Sequence, residues 1–192
     1  MILVRAHGRR IPWLIALLIA ASLFGPTITR GWAQSGPTLV ILVRHAEPAN
    51  DDGNDPALSQ AGARRARALA AALRDAGVTA ILTSPFRRTR ETAQPLAQAA
   101  DVTPSVVAVG NSMAGYLAAL TASVLAQTGT VLVVGHSNTV PQLIAALGGP
   151  TLPNICESAF DRLFVLVLSG DKPRLLRARY GAAGPPAGTS CL

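Results

Sequence analysis

The chain has 192 residues, 49% of them hydrophobic and 14% charged, with a formal charge of +7. That length and apolar share suit one domain with a sizeable core and exclude a wholly disordered chain. The charge does not mark a nucleic-acid binder. Arg5, Arg9, Arg10 and Arg30 fall in an acid-free stretch, residues 1–33, leaving 13 basic against 10 acidic residues beyond it, and no basic stripe alternates with aromatics as a stacking platform would need.

The first 33 residues have the layout of an export signal: basic Arg5, Arg9 and Arg10, an apolar run from Ile11 to Phe24, a breaker at Gly25-Pro26, and small residues at Gly31 and Ala33. Cleavage before Gln34 is expected, placing residues 34–192 in the periplasm or outside the cell with no stable membrane span. An uncleaved anchor is the alternative reading, although the apolar run falls short of the roughly 20 residues that span a bilayer.

After Gln34, "TLVILV" (38–43) reads as a buried strand, too short and too β-branched for a helix. "LSQAGARRARALAAALRDAG" (58–77) reads as a helix with Leu69 and Leu73 on one side, Arg on the other, and Gly77 at its end. "VTAILTS" is a second strand. "PFRRTRETAQPLAQAA" is a helix with Pro85 in its first turn and a kink or break expected at Pro95. A weak strand at Val106 and Val107 precedes a helix over 112–127, then "TVLVVG" is a third confident strand and "NTVPQLIAALG" a short helix. "RLFVLVLS" and "RLLRARY" read as two strands joined at "GDKP". Alternation of strands and helices predicts an α/β fold: a three-layer αβα sandwich with a mostly parallel central sheet and an antiparallel edge from the C-terminal pair. No repeat or second domain is visible, and the tail from about residue 181 is rich in Pro and Gly. Cys156 and Cys191 are read either as one bridge tying that tail to the domain or as a buried small residue and a free thiol. Nothing has metal-ligand spacing, and no cofactor is implied.

In an open parallel sheet, ligands bind beyond the carboxyl ends of the strands. The first strand delivers Arg44 and His45 to that edge, the second Ser84 and the helix start with Arg87 and Arg88, and the third Gly135 and His136. Two imidazoles, guanidiniums and a helix N-terminus suit an anion with several oxygens, a phosphomonoester above all. Gly135 is expected to let the backbone approach the ligand.

These residues resemble the histidine phosphatase superfamily, also called the phosphoglycerate mutase-like family. "RHAE" (44–47) is similar to its Arg-His signature, "TSPFRRTRETA" (83–93) to its Ser-Pro-x-x-Arg-x-x-x-Thr-Ala segment, "VVGHS" (133–137) to its second histidine segment, and "ALSQAGARRA" (57–66) to the Leu-Ser/Thr-x-x-Gly stretch opening its first helix. The resemblance runs over residues 38–168. It implies that neutral His45 attacks phosphorus to form a phosphohistidine, with Arg44, Arg88 and a protonated His136 on the equatorial oxygens. It implies activity at mildly acidic to neutral pH, with the two imidazoles drawn apart in pKa. Ser84, Ser137 and Asn50 are substrate-contact candidates, Asn50 being equally a turn residue.

One departure stands out. Many members carry a carboxylic acid between the second arginine and the second histidine, and "TPSVVAVGNSMAG" (103–115) has none. Glu157 or Asp161 could supply it, as could Asp51, Asp52 or Asp55, or a good leaving group could dispense with it; an N-cap or surface role fits Glu157 and Asp161 equally. The expected function is an exported, metal-independent phosphomonoesterase acting on a phosphorylated small molecule or envelope component. The alternatives are a non-catalytic phosphate-binding or envelope interaction protein and, less expected, a mutase-type phosphotransferase.

Overall fold

Six strands form one sheet in the order β3-β2-β4-β1-β5-β6, with β1 Pro37–Arg44, β2 Val78–Thr83, β3 Ser105–Val106, β4 Gly129–Gly135, β5 Arg162–Val167 and β6 Arg174–Arg179. This computed structural model describes residues 37–50, 53–168, 172–184, 186 and 188–192; the expected signal segment, Asp51 and Asp52 lie outside the described residues. β1 to β4 are mutually parallel, while β5 runs antiparallel to β1 and β6 antiparallel to β5. The expected mostly parallel sheet with an antiparallel edge is therefore present.

The sheet splits the core in two because alternate residues of a strand face opposite sides. Val40, Leu42, Val131, Val133 and Phe164 pack with Tyr116, Leu120 and Val124 of α3 (Met113–Leu125) and with Val140, Leu143 and Ile144 of α4 (Thr139–Ala146). Ile41, Val43, Ile81, Leu132 and Val134 pack on the other side against Leu69 of α1 (Gln60–Ala72) and Ala93 and Leu96 of α2 (Arg87–Ala100). These are the three layers. The central strands are apolar on both faces, as a covered parallel sheet requires.

Helix ends follow local chemistry. The Ser59 hydroxyl accepts from Gly62 N–H and the Ser112 hydroxyl from Gly115 N–H, capping α1 and α3. Gly77, at φ 60°, reverses the chain after α1. Pro85 precedes α2 rather than sitting in its first turn, since Phe86 is the N-cap residue. Phe86 has no capping side chain, and Asp55 from the 47–57 loop supplies the acceptor for Arg87 N–H at 2.8 Å. Pro95 does not interrupt α2. Buried Ala93, Leu96 and Ala97 lie on both sides of it along the helix, and their packing holds the helix through the hydrogen bond that proline cannot make.

The Arg face expected on α1 is not wholly solvated, because Arg65 is buried. Its Nε and Nη2 grip Glu47 at 2.8–3.0 Å, and Nη1 donates to Tyr180 O and Ala182 O at 3.0 Å. One guanidinium thus ties the loop after β1 to the end of β6. Gly62 serves the same junction, for a Cβ there would lie 2.2 Å from Glu47 O.

Of the two readings for the cysteines, the bridge is the one present: Cys156 and Cys191 are joined, with Cα atoms 5.0 Å apart and a sequence separation of 35. Cys156 N–H donates to Leu192 O and Leu192 N–H to Asn154 O, both at 2.9 Å, so the tail is fastened as a short ladder to the loop after α4. Closing a loop of that length stabilises by about 2–4 kcal/mol in the chain-entropy account. Reduction, or Cys191→Ser, is expected to lower the unfolding free energy by about that amount; an unchanged urea midpoint with and without reductant would show that the bridge contributes nothing.

Candidate active site

The functional side chains sit on three neighbouring strand tips. β4 lies between β2 and β1, with Arg44 level with Gly135 and Thr83 level with Val134. The residues that follow are Ser84, His136 and His45, side by side. His45 N–H donates to Gly135 O at 2.9 Å, extending the β1–β4 ladder past the strand end. The two imidazoles stand edge to face with centroids 5.4 Å apart.

His45 is 6% exposed. Its Nδ1 lies 2.8 Å from the Ala46 carbonyl, which can only accept, so Nδ1 carries the proton and Nε2 the lone pair. Burial, reinforced by the charges of Arg44 and Arg88, lowers its pKa to about 3. The backbone just beyond is fixed by α2: Ala46 N–H donates to Thr92 Oγ1 at 2.9 Å. That contact gives a physical role to the threonine of the "TSPFRRTRETA" segment.

His136 Nε2 lies 3.0 Å from Ser84 Oγ. Ser84 Oγ is in turn 2.9 Å from Thr89 Oγ1, whose own proton goes to the Ser84 or Phe86 carbonyl at 3.0 or 2.8 Å. The Ser84 hydroxyl therefore donates to Thr89 and accepts from His136 Nε2–H, leaving the lone pair of His136 on Nδ1. Burial, then the charges of Arg88 and Arg44, lower His136 to about 4. The resemblance implies a protonated His136 drawn apart from a neutral His45. Both rings are instead neutral at physiological pH, because both share one desolvated, cationic enclosure.

Arg44 is 4% exposed and committed to the loop after α4. Nη1 donates to Cys156 O at 2.9 Å, Glu157 O at 2.8 Å and Ala159 O at 3.4 Å, Nη2 to the Glu157 carboxylate, and the guanidinium lies 4.3 Å over the Phe160 ring. Arg88 stacks on Phe86 at 4.5 Å and lies 3.9 Å from Asp55. Phe86 and Phe160 flank His136 and His45 with centroids at 5.5 and 6.2 Å, apolar walls that the sequence reading did not single out. Arg87 is directed away, paired with Glu91 at 3.3 Å.

Other candidates are sorted by their surroundings. Ser84 is fully buried, with its hydroxyl spent on His136 and Thr89; that geometry makes it a support for the imidazole rather than a substrate contact. Ser137 Oγ donates to Glu157 Oε1 at 2.6 Å. Asn50 is exposed in the loop after β1. Asp161 is fully buried and serves the fold: Arg179 and Gly184 N–H donate to its Oδ2 at 2.7 and 2.9 Å. Burial opposes its charge, but Gly184 N–H and Arg179 outweigh it and hold its pKa below the usual value. It is removed as a proton donor. Gly135 also has a different reason from the expected one, since a Cβ there would meet Thr139 Oγ1 at 2.9 Å and Val140 Cγ2 at 3.1 Å. The glycine admits α4. Among the described residues no group of three or more His, Cys, Asp or Glu side chains could hold a metal ion, and no helix is long and apolar enough to cross a membrane.

Solved structures share this architecture. The protein histidine phosphatase SixA, in complex with tungstate, matches with a TM-score of 0.58 at 22% identity over 73% of this chain and 96% of its own. SixA from Agrobacterium tumefaciens matches with a TM-score of 0.55 at 25% identity, covering 77% of this chain and 100% of its own. A mycobacterial glucosyl-3-phosphoglycerate phosphatase with inorganic phosphate matches with a TM-score of 0.55 at 19% identity, covering 76% and 98%. The fold is that of a histidine phosphatase. The sequence model of the histidine phosphatase superfamily (branch 1) matches residues 40–109, which hold Arg44, His45 and Arg88. No curated protein matches the sequence significantly.

The neutral imidazoles have a consequence for stability. Each folded pKa lies below the unfolded value of 6.5, at about 3 and about 4, so between those limits the unfolded chain binds more protons and stability falls as pH falls. The urea midpoint is expected to hold above about pH 7 and to decline steadily below about pH 6, with a flatter decline in His45→Gln/His136→Gln. A wild-type midpoint level down to about pH 4.5 would contradict neutral, buried rings.

Proposed function

We propose that the protein is a phosphomonoesterase working through a phosphohistidine at His45 without a metal ion. The observation that carries this reading is a desolvated imidazole with its lone pair fixed on Nε2, beside a second imidazole and between two buried or half-buried guanidiniums. His45 Nε2 attacks phosphorus; the P–N bond forms as the bond to the leaving oxygen breaks, and that oxygen keeps the electron pair. Water then attacks from the same enclosure, the P–N bond breaks, and inorganic phosphate leaves with His45 neutral again. Arg44 and Arg88 carry the charge of the equatorial oxygens, a task that electrostatic preorganisation performs at little reorganisation cost.

The arriving phosphoryl group reverses part of the local electrostatics. Its charge favours a proton on His136, whose Nε2–H is held by Ser84, so the second proton goes to Nδ1. That proton comes with the substrate, since the free site holds both rings neutral. The active combination is then a monoanionic phosphoryl group with a neutral enzyme. With a second phosphate pKa near 6, kcat/KM is expected to fall above about pH 6 and to stay level down to about pH 4.5. A plateau from about pH 6 to pH 8 would show that the dianion is the true substrate form and would remove this proton route.

Asp55 and Glu157 both lie against arginines, an arrangement that suits hydrogen-bond acceptance. The reading therefore favours leaving groups that depart with little acid assistance, such as a phosphorylated imidazole or an acyl phosphate. The relatives named as protein histidine phosphatases are consistent with that class, and the glucosyl-3-phosphoglycerate phosphatase keeps sugar-acid phosphates as the second class to test. Export to the periplasm or beyond is part of the proposal, supported by the signal-like segment in residues 1–33 and by a disulfide, which persists in oxidising compartments.

The test is phosphate release from p-nitrophenyl phosphate, phosphohistidine and alkyl phosphates, with and without EDTA. His45→Ala is expected to abolish turnover while inorganic phosphate still binds, and Arg88→Ala to lower kcat/KM by about 10²–10³-fold. Turnover that survives His45→Ala or requires a metal would overturn the mechanism. Phosphate binding without turnover on any substrate would favour the non-catalytic reading.

A further inference from the structure

Glu157 stands apart from the other acidic side chains of the site. Its carboxylate is 77% exposed, yet it is held by the guanidinium of Arg44, a residue that is almost wholly buried. Its other oxygen takes the Ser137 hydroxyl at 2.6 Å. Arg44 Nη1 is spent on three backbone carbonyls, the Phe160 ring covers one face and Nε is buried without a partner, so the Nη2 side is the edge left to meet an anion. Glu157 occupies that edge. Ser137 directly follows His136, so two donors converge on one carboxylate beside the paired imidazoles.

We propose that Glu157 is an internal anion that occupies the phosphate-facing edge of Arg44 and must be displaced by the substrate, so that it sets the affinity threshold of the site. The inference rests on the phosphatase reading of the same site, and it goes beyond that reading by assigning Glu157 a role other than proton donation. Both carboxylate oxygens accept hydrogen bonds, one from a guanidinium and one from a hydroxyl, the arrangement of an acceptor.

Two physical features make displacement practicable. The exposed member of the pair is screened by water, and a phosphoryl group offers more charge and a third oxygen. The backbone need not move. Ile155 N–H donates to Ser137 O, Cys156 N–H to Leu192 O, and the Cys156–Cys191 bridge fastens the loop on its far side. Only the Glu157 side chain has to swing outwards, and the Cys156, Glu157 and Ala159 carbonyls keep Arg44 in place while it does. The competing state lowers apparent affinity by the fraction of time Arg44 is occupied.

The test compares wild type with Glu157→Gln and Glu157→Ala, first by titration calorimetry with inorganic phosphate and then by kinetics on an aryl and an alkyl phosphate. Thermal midpoints confirm that each variant is folded. Both variants are expected to bind phosphate about two- to fivefold more tightly, and to raise kcat/KM by a similar factor on both substrates. Unchanged or weaker phosphate binding in both variants would overturn the inference. So would a fall in kcat confined to the alkyl phosphate, which would make Glu157 the leaving-group acid. Tighter binding in a protein that turns over nothing would keep this inference and remove the catalytic one; failure of wild type and variants alike to bind phosphate would remove both.

Discussion

The parallel pairing of β4 between β1 and β2 is the constraint on which the site depends. Its register puts Arg44 level with Gly135 and Thr83 level with Val134, so the next residues on three adjacent strands converge without any loop having to find its place. Strand ends are rigid because both faces of the sheet are buried, and rigidity is what a nucleophile and its charge clamp need. The helices then lock the tips from outside. Thr92 of α2 takes Ala46 N–H, Gly62 of α1 lets the Glu47 backbone lie against it, and Thr139 of α4 takes His136 N–H.

The second organising feature is the concentration of positive charge in a desolvated space. Arg44 and Arg88 are both held below their usual pKa, chiefly by burial, with Glu157 and Asp55 opposing the effect. Burial, reinforced by the same two charges, keeps His45 and His136 deprotonated. A site of this kind is electrostatically incomplete until an anion arrives. Carboxylates from two different loops, one before α1 and one after α4, lie against the two arginines in the free protein.

Much of this was legible in the sequence, for identifiable reasons. Apolar runs such as "TLVILV" and "TVLVVG" mark strands covered on both faces, and a polar residue at the end of such a run marks the functional edge, which is how Arg44, His45, Ser84 and His136 were found. The antiparallel β5–β6 edge followed from two short apolar runs with a tight Gly-Asp-Lys-Pro connection. What escaped depends on contacts between distant segments. Arg65 reads as one more surface arginine of α1, and nothing local shows that Glu47, Tyr180 and Ala182 surround it. Asp161 looks like any polar residue after a loop until Arg179 and Gly184 close over it. Sequence cannot show that α4 packs against Gly135. The imidazole pKa values are not legible in sequence, because burial and two guanidiniums from distant segments set them.

The proposed route takes the phosphoryl group through His45 on its way to water. The measurement that tests it most directly is the steric course at phosphorus, using a substrate whose phosphoryl group is made chiral with oxygen isotopes and sulfur. Two in-line displacements, first by His45 and then by water, predict overall retention of configuration. Inversion would mean that water attacks the substrate directly, and would contradict the account however well the residues are placed.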